Sequence, residues 1–396
     1  MTLLMRQPGR STVVFVNYLV HGKCRSTDVD YTKNFEVLAS DNKNIKVCFN
    51  ESKLAAWIAD CLRLLPIRLR HFPFLEKKLN PFLKKLGQYT ILFPWQLKGV
   101  DVVLTHWYYP VFIGNKKIPI VYSAGFHGNQ YAGFNNDEER KKSGNFLEVR
   151  RKIDHAAISF FPAKNWITHF SSLAGSRYEN KIEYVPHLLP LASKRKVFPA
   201  KKFSTQQIRI LFVGRDGKRK GLPNLIKAIQ RILKKYPALR TYLQVDIVSE
   251  YSVDMVSENI PGTHHPALSK LEVIQLMEQA HIYCMPTQQE SYGHVFIEAM
   301  GSCCAIIADR QATRSEIFNH GKLGQLIAPD SITELEEALT KYIFNRNLMV
   351  SHAMSCFKKF NSEYAFEVVR DRLQELVLEV AYLHPNDQSA FYSIKL

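Results

Sequence analysis

The chain of 396 residues has no apolar run approaching the roughly 18 residues that a membrane-spanning helix needs. The apolar stretch Thr12–Val20 is broken by Asn17 and followed by no convincing small-residue cleavage site, so the expectation is a cytoplasmic protein. Cysteine is scarce. Seven thiols at irregular spacing, two of them the neighbours Cys303 and Cys304, make neither a complete disulfide framework nor paired C-x-x-C zinc knuckles. Reduced thiols and no metal site are the expectation. No internal repeat or long low-complexity tract is present, and 46% apolar with 22% charged residues excludes a disordered scaffold. Acidic residues are also short, 36 against 53 Lys and Arg, for a net charge of +17. An anionic partner follows, and nucleic acid, anionic lipid and a nucleotide diphosphate all satisfy it. Without a zinc-finger, RNP or helix-turn-helix signal, no nucleic acid is expected.

What is there is alternation. Short segments rich in β-branched and aromatic residues recur between longer helical patterns, which is how a parallel sheet with crossover helices reads. In the first half, strands fall near Thr12–Val16, Ile45–Phe49, Val102–Thr105, Ile120–Ser123, Ala157–Phe160 and Ile182–Val185, with helices at Glu51–Leu65 and Glu138–Lys152. In the second half, strands fall near Ile208–Val213, Tyr242–Ile247, Ile282–Pro286, Ala305–Ala308 and Gly324–Ile327. Helices are expected there at Leu222–Lys235, Lys270–Gln279, His294–Met300 and Ile332–Asn345. The expected division is an α/β domain over 1–190, a basic linker over 191–207, a second α/β domain over 208–361 and a final helix over 362–396. That helix, capped by Asn361 or Ser362, carries Phe366, Val369, Leu373, Leu376, Val377 and Val380 on one face, which must pack on something.

Two segments carry chemistry. In Ile208–Gly221, IRILFVGRDGKRKG, a strand runs into Gly214, Arg215, Gly217, Lys220 and Gly221 before a helix opens. Glycines let backbone N–H groups approach phosphate oxygens, the helix start adds positive potential, and Arg and Lys supply charge. A solvated basic turn would look the same on this segment alone. In Tyr283–Gly301, YCMPTQQESYGHVFIEAMG, Glu290 sits on a loop and Glu298 eight positions later in a helix, flanking Ser291, Tyr292, Gly293, His294 and Val295. Carboxylates accept from adjacent sugar hydroxyls, and the amides at a helix start donate to phosphate.

The two segments in this order resemble the C-terminal half of the retaining glycosyltransferase family 4, which has the GT-B fold. The family's Gly-Arg turn with a Lys five positions on is matched by Gly214, Arg215 and Lys220, and its Glu-x7-Glu motif by Glu290 and Glu298. SEIFNHGKLGQLIAPD, around Glu316, Gly321 and Gly324, is similar to the usual continuation. The resemblance is strong over Ile208–Asp330 and weaker before it. It implies two Rossmann-like domains facing a central cleft, with the C-terminal helix crossing back to the first. It also implies metal-independent transfer of a sugar, with retention, from a nucleotide diphosphate to a glycan or lipid-linked acceptor, without any further cofactor. Arg215 and Lys220 would then meet the departing diphosphate, Glu290 the donor sugar and Glu298 the ribose. His127 would contact the sugar from the acceptor domain, with His106 its competitor for that role.

Two departures stand out. Tyr18–Asp30 offers only Gly22 where the family has a Gly-rich loop, and Gly301-Ser302-Cys303-Cys304-Ala305 replaces the usual Ala-Cys-Gly-Thr-Pro. A dinucleotide-dependent oxidoreductase, the alternative for two Rossmann units, lacks the G-x-G-x-x-G turn. Residues 61–87 interleave Arg63, Arg68, Arg70, Lys77, Lys78, Lys84 and Lys85 with large apolar residues against a single Glu76. Such a segment suits an anionic membrane surface and places the protein at its cytoplasmic face, although a helical hairpin packed on the first domain has the same pattern.

Overall fold

The computed structural model describes residues 14–15, 89–92, 101–106, 109–112, 118–124, 137–189 and 195–383. Expectations for Ile45–Phe49, Glu51–Leu65, the basic segment 61–87 and His127 lie outside them.

Among the described residues, five strands form the first sheet: β1 (Val14–Phe15), β3 (Val103–His106), β5 (Ile120–Ser123), β6 (Ile158–Phe161) and β7 (Ile182–Tyr184), in the order β1-β3-β5-β6-β7, all parallel. A separate parallel pair joins β2 (Tyr89–Leu92) to β4 (Tyr109–Phe112). The single helix expected over Glu138–Lys152 is two, α1 (Asp137–Lys142) and α2 (Gly144–His155). Ser143 causes the break: its hydroxyl accepts from the Phe146 N–H at 3.2 Å and starts α2 afresh. Next comes α3 (Lys164–Ala174), which buries Trp166, Phe170 and Leu173.

The second sheet contains β8 (Ile208–Val213), β9 (Leu243–Val248), β10 (Gly262–His265), β11 (Ile282–Met285), β12 (Ala305–Asp309) and β13 (Gln325–Ile327). Its order, β10-β9-β8-β11-β12-β13, is that of a dinucleotide-binding sheet, 3-2-1-4-5-6 counted within the domain, with every pair parallel. Strand order reverses between β8 and β11, where such sheets open a crevice at their carboxyl ends. The connecting helices are α4 (Leu222–Lys235), α5 (Lys270–Gln279), α6 (His294–Gly301), α7 (Ala312–Ile317), α8 (Ile332–Phe344) and α9 (Arg346–Lys359). Leu222, Leu225, Ile226, Ile229, Ile232 and Leu233 make the buried stripe of α4 at helical spacing.

Helix α10 (Phe366–Leu383) starts where its apolar pattern starts, four residues after the expected start at Ser362. A π-helical turn over Phe360–Tyr364 prolongs α9 and buries Phe360 and Tyr364, so Asn361 and Ser362 cap nothing; their side chains donate to Phe357 O and Lys359 O. Val369, Leu373, Leu376, Val377 and Val380 pack on Val102, Leu104, Val121, Phe160, Val185 and Leu188, closing the first sheet's core with the C-terminal helix. Among the described residues, no helix is long and apolar enough to cross a membrane.

Residues 195–207 lie against the second sheet. Phe198 stacks on Phe203 at 5.5 Å, and half-buried Lys202 donates to the carbonyls of Ser302 and Cys303, both at 3.0 Å. Cys303 takes a φ of 60°, the left-handed conformation that explains why a glycine is usual there.

Candidate active site

Both candidate segments converge on the crevice beside β8 and β11. After β8 the Gly214 N–H donates to Val248 O at 2.9 Å, and the chain winds through Gly217 to Gly221, the residue before α4. Gly221 has φ 80°, and a Cβ there would lie 1.9 Å from the Pro286 carbonyl oxygen, so only glycine lets the β8 turn touch the end of β11. That contact sets the position of the preceding residue. The Lys220 ammonium makes an ion pair with Glu290, both side chains being largely buried.

Glu290 is held twice, since its other oxygen accepts from the Ser291 N–H at 2.9 Å. Burial works against its ionisation, but the Lys220 charge and hydrogen bond, Arg314 and the Ser291 N–H together hold its carboxyl below the ordinary range. Arg215 is not in this cluster. Its exposed guanidinium pairs with Glu250 at 3.1 Å on the loop after β9, and the Ser249 hydroxyl donates to its carbonyl at 3.3 Å.

Glu298 lies on α6, buried, with one oxygen paired to the Lys270 ammonium at the start of α5. Its Oε2 is shielded and makes no hydrogen bond. Burial raises this carboxyl and Lys270 opposes the rise. Lys270 went unnoticed in the sequence. The capping box Ser269-x-x-Glu272, which fixes where α5 begins and therefore where Lys270 stands, was a readable signal.

Between the glutamates, Gly293 takes φ 87° and α6 starts at His294. The His294 imidazole is pushed down to about 4, first by burial and then by Lys270 and Lys220 against the pull of Glu290, so it is neutral at physiological pH. Its Nε2 makes no hydrogen bond. Its ring meets His187, from the first domain, at 4.7 Å, and His187 meets Tyr292 at 4.8 Å. Tyr292 is buried and Val295 half-buried. His106 is the last residue of β3.

A second contact joins the domains. The start of α3 has no capping side chain of its own; instead the carboxylate of Glu316, on α7, accepts from the N–H groups of Lys164 at 2.9 Å and Asn165 at 2.5 Å. Thr313 accepts from Trp166 Nε1 at 3.0 Å, and Trp166 meets Tyr292 edge-on at 6.1 Å. Glu316→Ala should therefore cost about 1 kcal/mol, the usual worth of an N-cap, and enlarge the radius of gyration. Urea melts with X-ray scattering check this, and an unchanged scattering profile would mean the cap does not hold the domains together.

Residues 193–354 match the family of glycosyl transferases group 1. The chain is 28% identical over 128 residues to the phosphatidyl-myo-inositol mannosyltransferase of Mycobacterium tuberculosis, covering 31% of this chain and 33% of that protein. It is 21% identical over 243 residues to the capsular polysaccharide biosynthesis glycosyltransferase CapM of Staphylococcus aureus, 58% of this chain and 60% of that one. The matches thus span only part of these relatives' length. In structure it is similar to Anabaena HepE in complex with UDP and glucose, with a TM-score of 0.54 at 12% identity, over 93% of this chain and all of the other. At this identity the likeness shows the fold, which is GT-B, two Rossmann-like α/β domains.

Proposed function

We propose that the chain is a retaining, metal-independent glycosyltransferase of family 4 that moves a sugar from a nucleotide diphosphate to a glycan or lipid-linked acceptor in cell-surface polysaccharide or glycolipid biosynthesis. The observation that carries it is the Lys220–Glu290 pair at the switch point of a Rossmann sheet, beside the start of α6. In such a transfer, negative charge grows on the departing diphosphate while positive charge grows at the anomeric carbon. Lys220 and the amides of Gly293 and His294 meet the first, and Arg215 joins them only by leaving Glu250. The Glu290 carboxylate, held ionised, orients the sugar through its hydroxyls. Glu298 holds the ribose, and His127 supplies the acceptor side. The group 1 match and the capsule and mannosyl relatives support the sugar chemistry.

UDP-sugars are the first donors to try, because a structural neighbour holds UDP and glucose. Purified protein is expected to hydrolyse or transfer from one of the UDP-, GDP- or ADP-sugars with EDTA leaving the rate unchanged. Failure with all of them would overturn the reading, and loss of rate in EDTA would overturn its metal independence. Peripheral membrane contact through 61–87 belongs to the same proposal, motivated by its basic-apolar interleaving. Binding to vesicles should rise with anionic lipid and fall with salt; indifference to anionic vesicles at low salt would favour a soluble acceptor.

A further inference from the structure

We propose that Arg314 is a positioning residue for Glu290, fastening from behind the loop that presents this carboxylate. The loop between β11 and α6 has no regular structure, yet four successive carbonyls of it, Gln288 to Ser291, are each taken by a side chain from elsewhere. Gln311 donates to Gln288 O at 2.7 Å, Arg219 to Gln289 O at 2.8 Å, and Arg314 Nη1 to both Glu290 O at 2.9 Å and Ser291 O at 3.3 Å. Arg314 is 1% exposed and its partner Asp309 is fully buried. The guanidinium's remaining donors reach Asp309 from Nε at 3.0 Å and Nη2 at 2.8 Å, and Gln311 Oε1 from Nη2 at 2.5 Å. Asp309 ends β12 and Arg314 sits on α7, so a sheet strand anchors the fork and the fork anchors the loop.

A buried ion pair of this kind adds little stability that apolar side chains of similar volume would not add. What apolar side chains cannot do is donate to two carbonyls at fixed separation. A lysine's three donors could reach the carbonyls, as Lys202 does elsewhere, but its compact ammonium could not at the same time hold Asp309 and Gln311 as the planar fork of Arg314 does. The inference rests on the glycosyltransferase reading only for what Glu290 does once positioned.

The test uses full-length protein with Asp309→Leu and Arg314→Met combined, which removes both buried charges, and Arg314→Lys as a second variant that keeps the charge against Asp309. UDP, GDP and ADP are titrated in turn, donor turnover is measured, and amide hydrogen exchange is followed over 288–294. In both variants the nucleoside diphosphate affinity should stay near wild type, while kcat falls about tenfold or more with little change in KM. Exchange at Ser291–Gly293 should rise about tenfold while that of α4 is unchanged. Folded variants with wild-type kcat and wild-type exchange in this loop would overturn the proposal. Absence of turnover in wild type with every nucleotide sugar overturns the glycosyltransferase reading instead, and the exchange result still decides the role of Arg314.

Discussion

Lys220→Ala is expected to lower sugar transfer by about 10²–10³-fold, the usual loss when one preorganised donor to a developing negative charge is removed. The side chain has little freedom to be anywhere else. A Cβ on Gly214 would lie 2.9 Å from Lys220 Cγ, and Gly221 is pressed against Pro286, so the backbone on both sides delivers the ammonium to one place. The substitution also acts on Glu290. With its counter-charge gone, burial is left as the largest influence on that carboxyl, and its pKa rises. Residual activity of the mutant should therefore be lost at a higher pH than in wild type as pH falls, because the carboxylate must be ionised to hold the sugar hydroxyls in the same geometry. The fold should survive, since the turn borders a crevice and the stranded carboxylate can take up a proton. Lys220→Arg, which restores the charge, should recover part of the rate. Steady-state rates between pH 5 and 8, with circular dichroism melts, test this; a folded Lys220→Ala protein with wild-type transfer would remove Lys220 from the donor site.

Legibility of the structure in the sequence followed burial. β11, β12 and most of β8 are buried, so they read as near-continuous apolar runs, interrupted at Arg209 in β8 and closed by Asp309 in β12, and the helices between them kept their expected limits at Leu222–Lys235 and Lys270–Gln279. The edge strand β10, Gly-Thr-His-His, did not read as a strand at all, because it pairs on one side only and has no apolar side chain to show. Position in three dimensions was harder still. The spacing Gly214-Arg215-Lys220 and Glu290-x7-Glu298 marked the right crevice, yet it gave no means of knowing that Arg215 turns to Glu250 while Lys220 turns inward. Asp309 and Arg314, in a stretch as polar as Asp309-Arg310-Gln311-Ala312-Thr313-Arg314, look like solvated surface. Only the fold shows that two of the three charges are buried and that they hold a loop, because the partner carbonyls come from residues some two dozen positions earlier.

Glu298→Gln and Glu290→Gln should separate binding from turnover, and the reason lies in how each carboxylate is already occupied. Both oxygens of Glu290 have partners, the Lys220 ammonium and the Ser291 N–H, so a bare nucleotide diphosphate gains nothing new from it. Its replacement by an isosteric amide removes the charge that orients the donor sugar, and turnover should fall about 10²-fold while affinity for the bare nucleotide changes by about twofold at most. Glu298 is different. One oxygen is engaged by Lys270, but Oε2 is a buried acceptor without a donor, the condition a ribose hydroxyl would relieve. A hydrogen bond to a charged acceptor contributes about 1.5–3 kcal/mol, so Glu298→Gln should weaken the nucleotide diphosphate by about ten- to a hundredfold. The amide also leaves the Lys270 ammonium beside a neutral group, so Lys270→Met should restore some of the stability that Glu298→Gln costs while leaving the affinity low. Calorimetric titration of each variant with the nucleoside diphosphate, beside donor turnover, reads both effects. Equal losses of nucleotide affinity in the two variants would show that the glutamates share one role, and the assignment of ribose to Glu298 and sugar to Glu290 would fall.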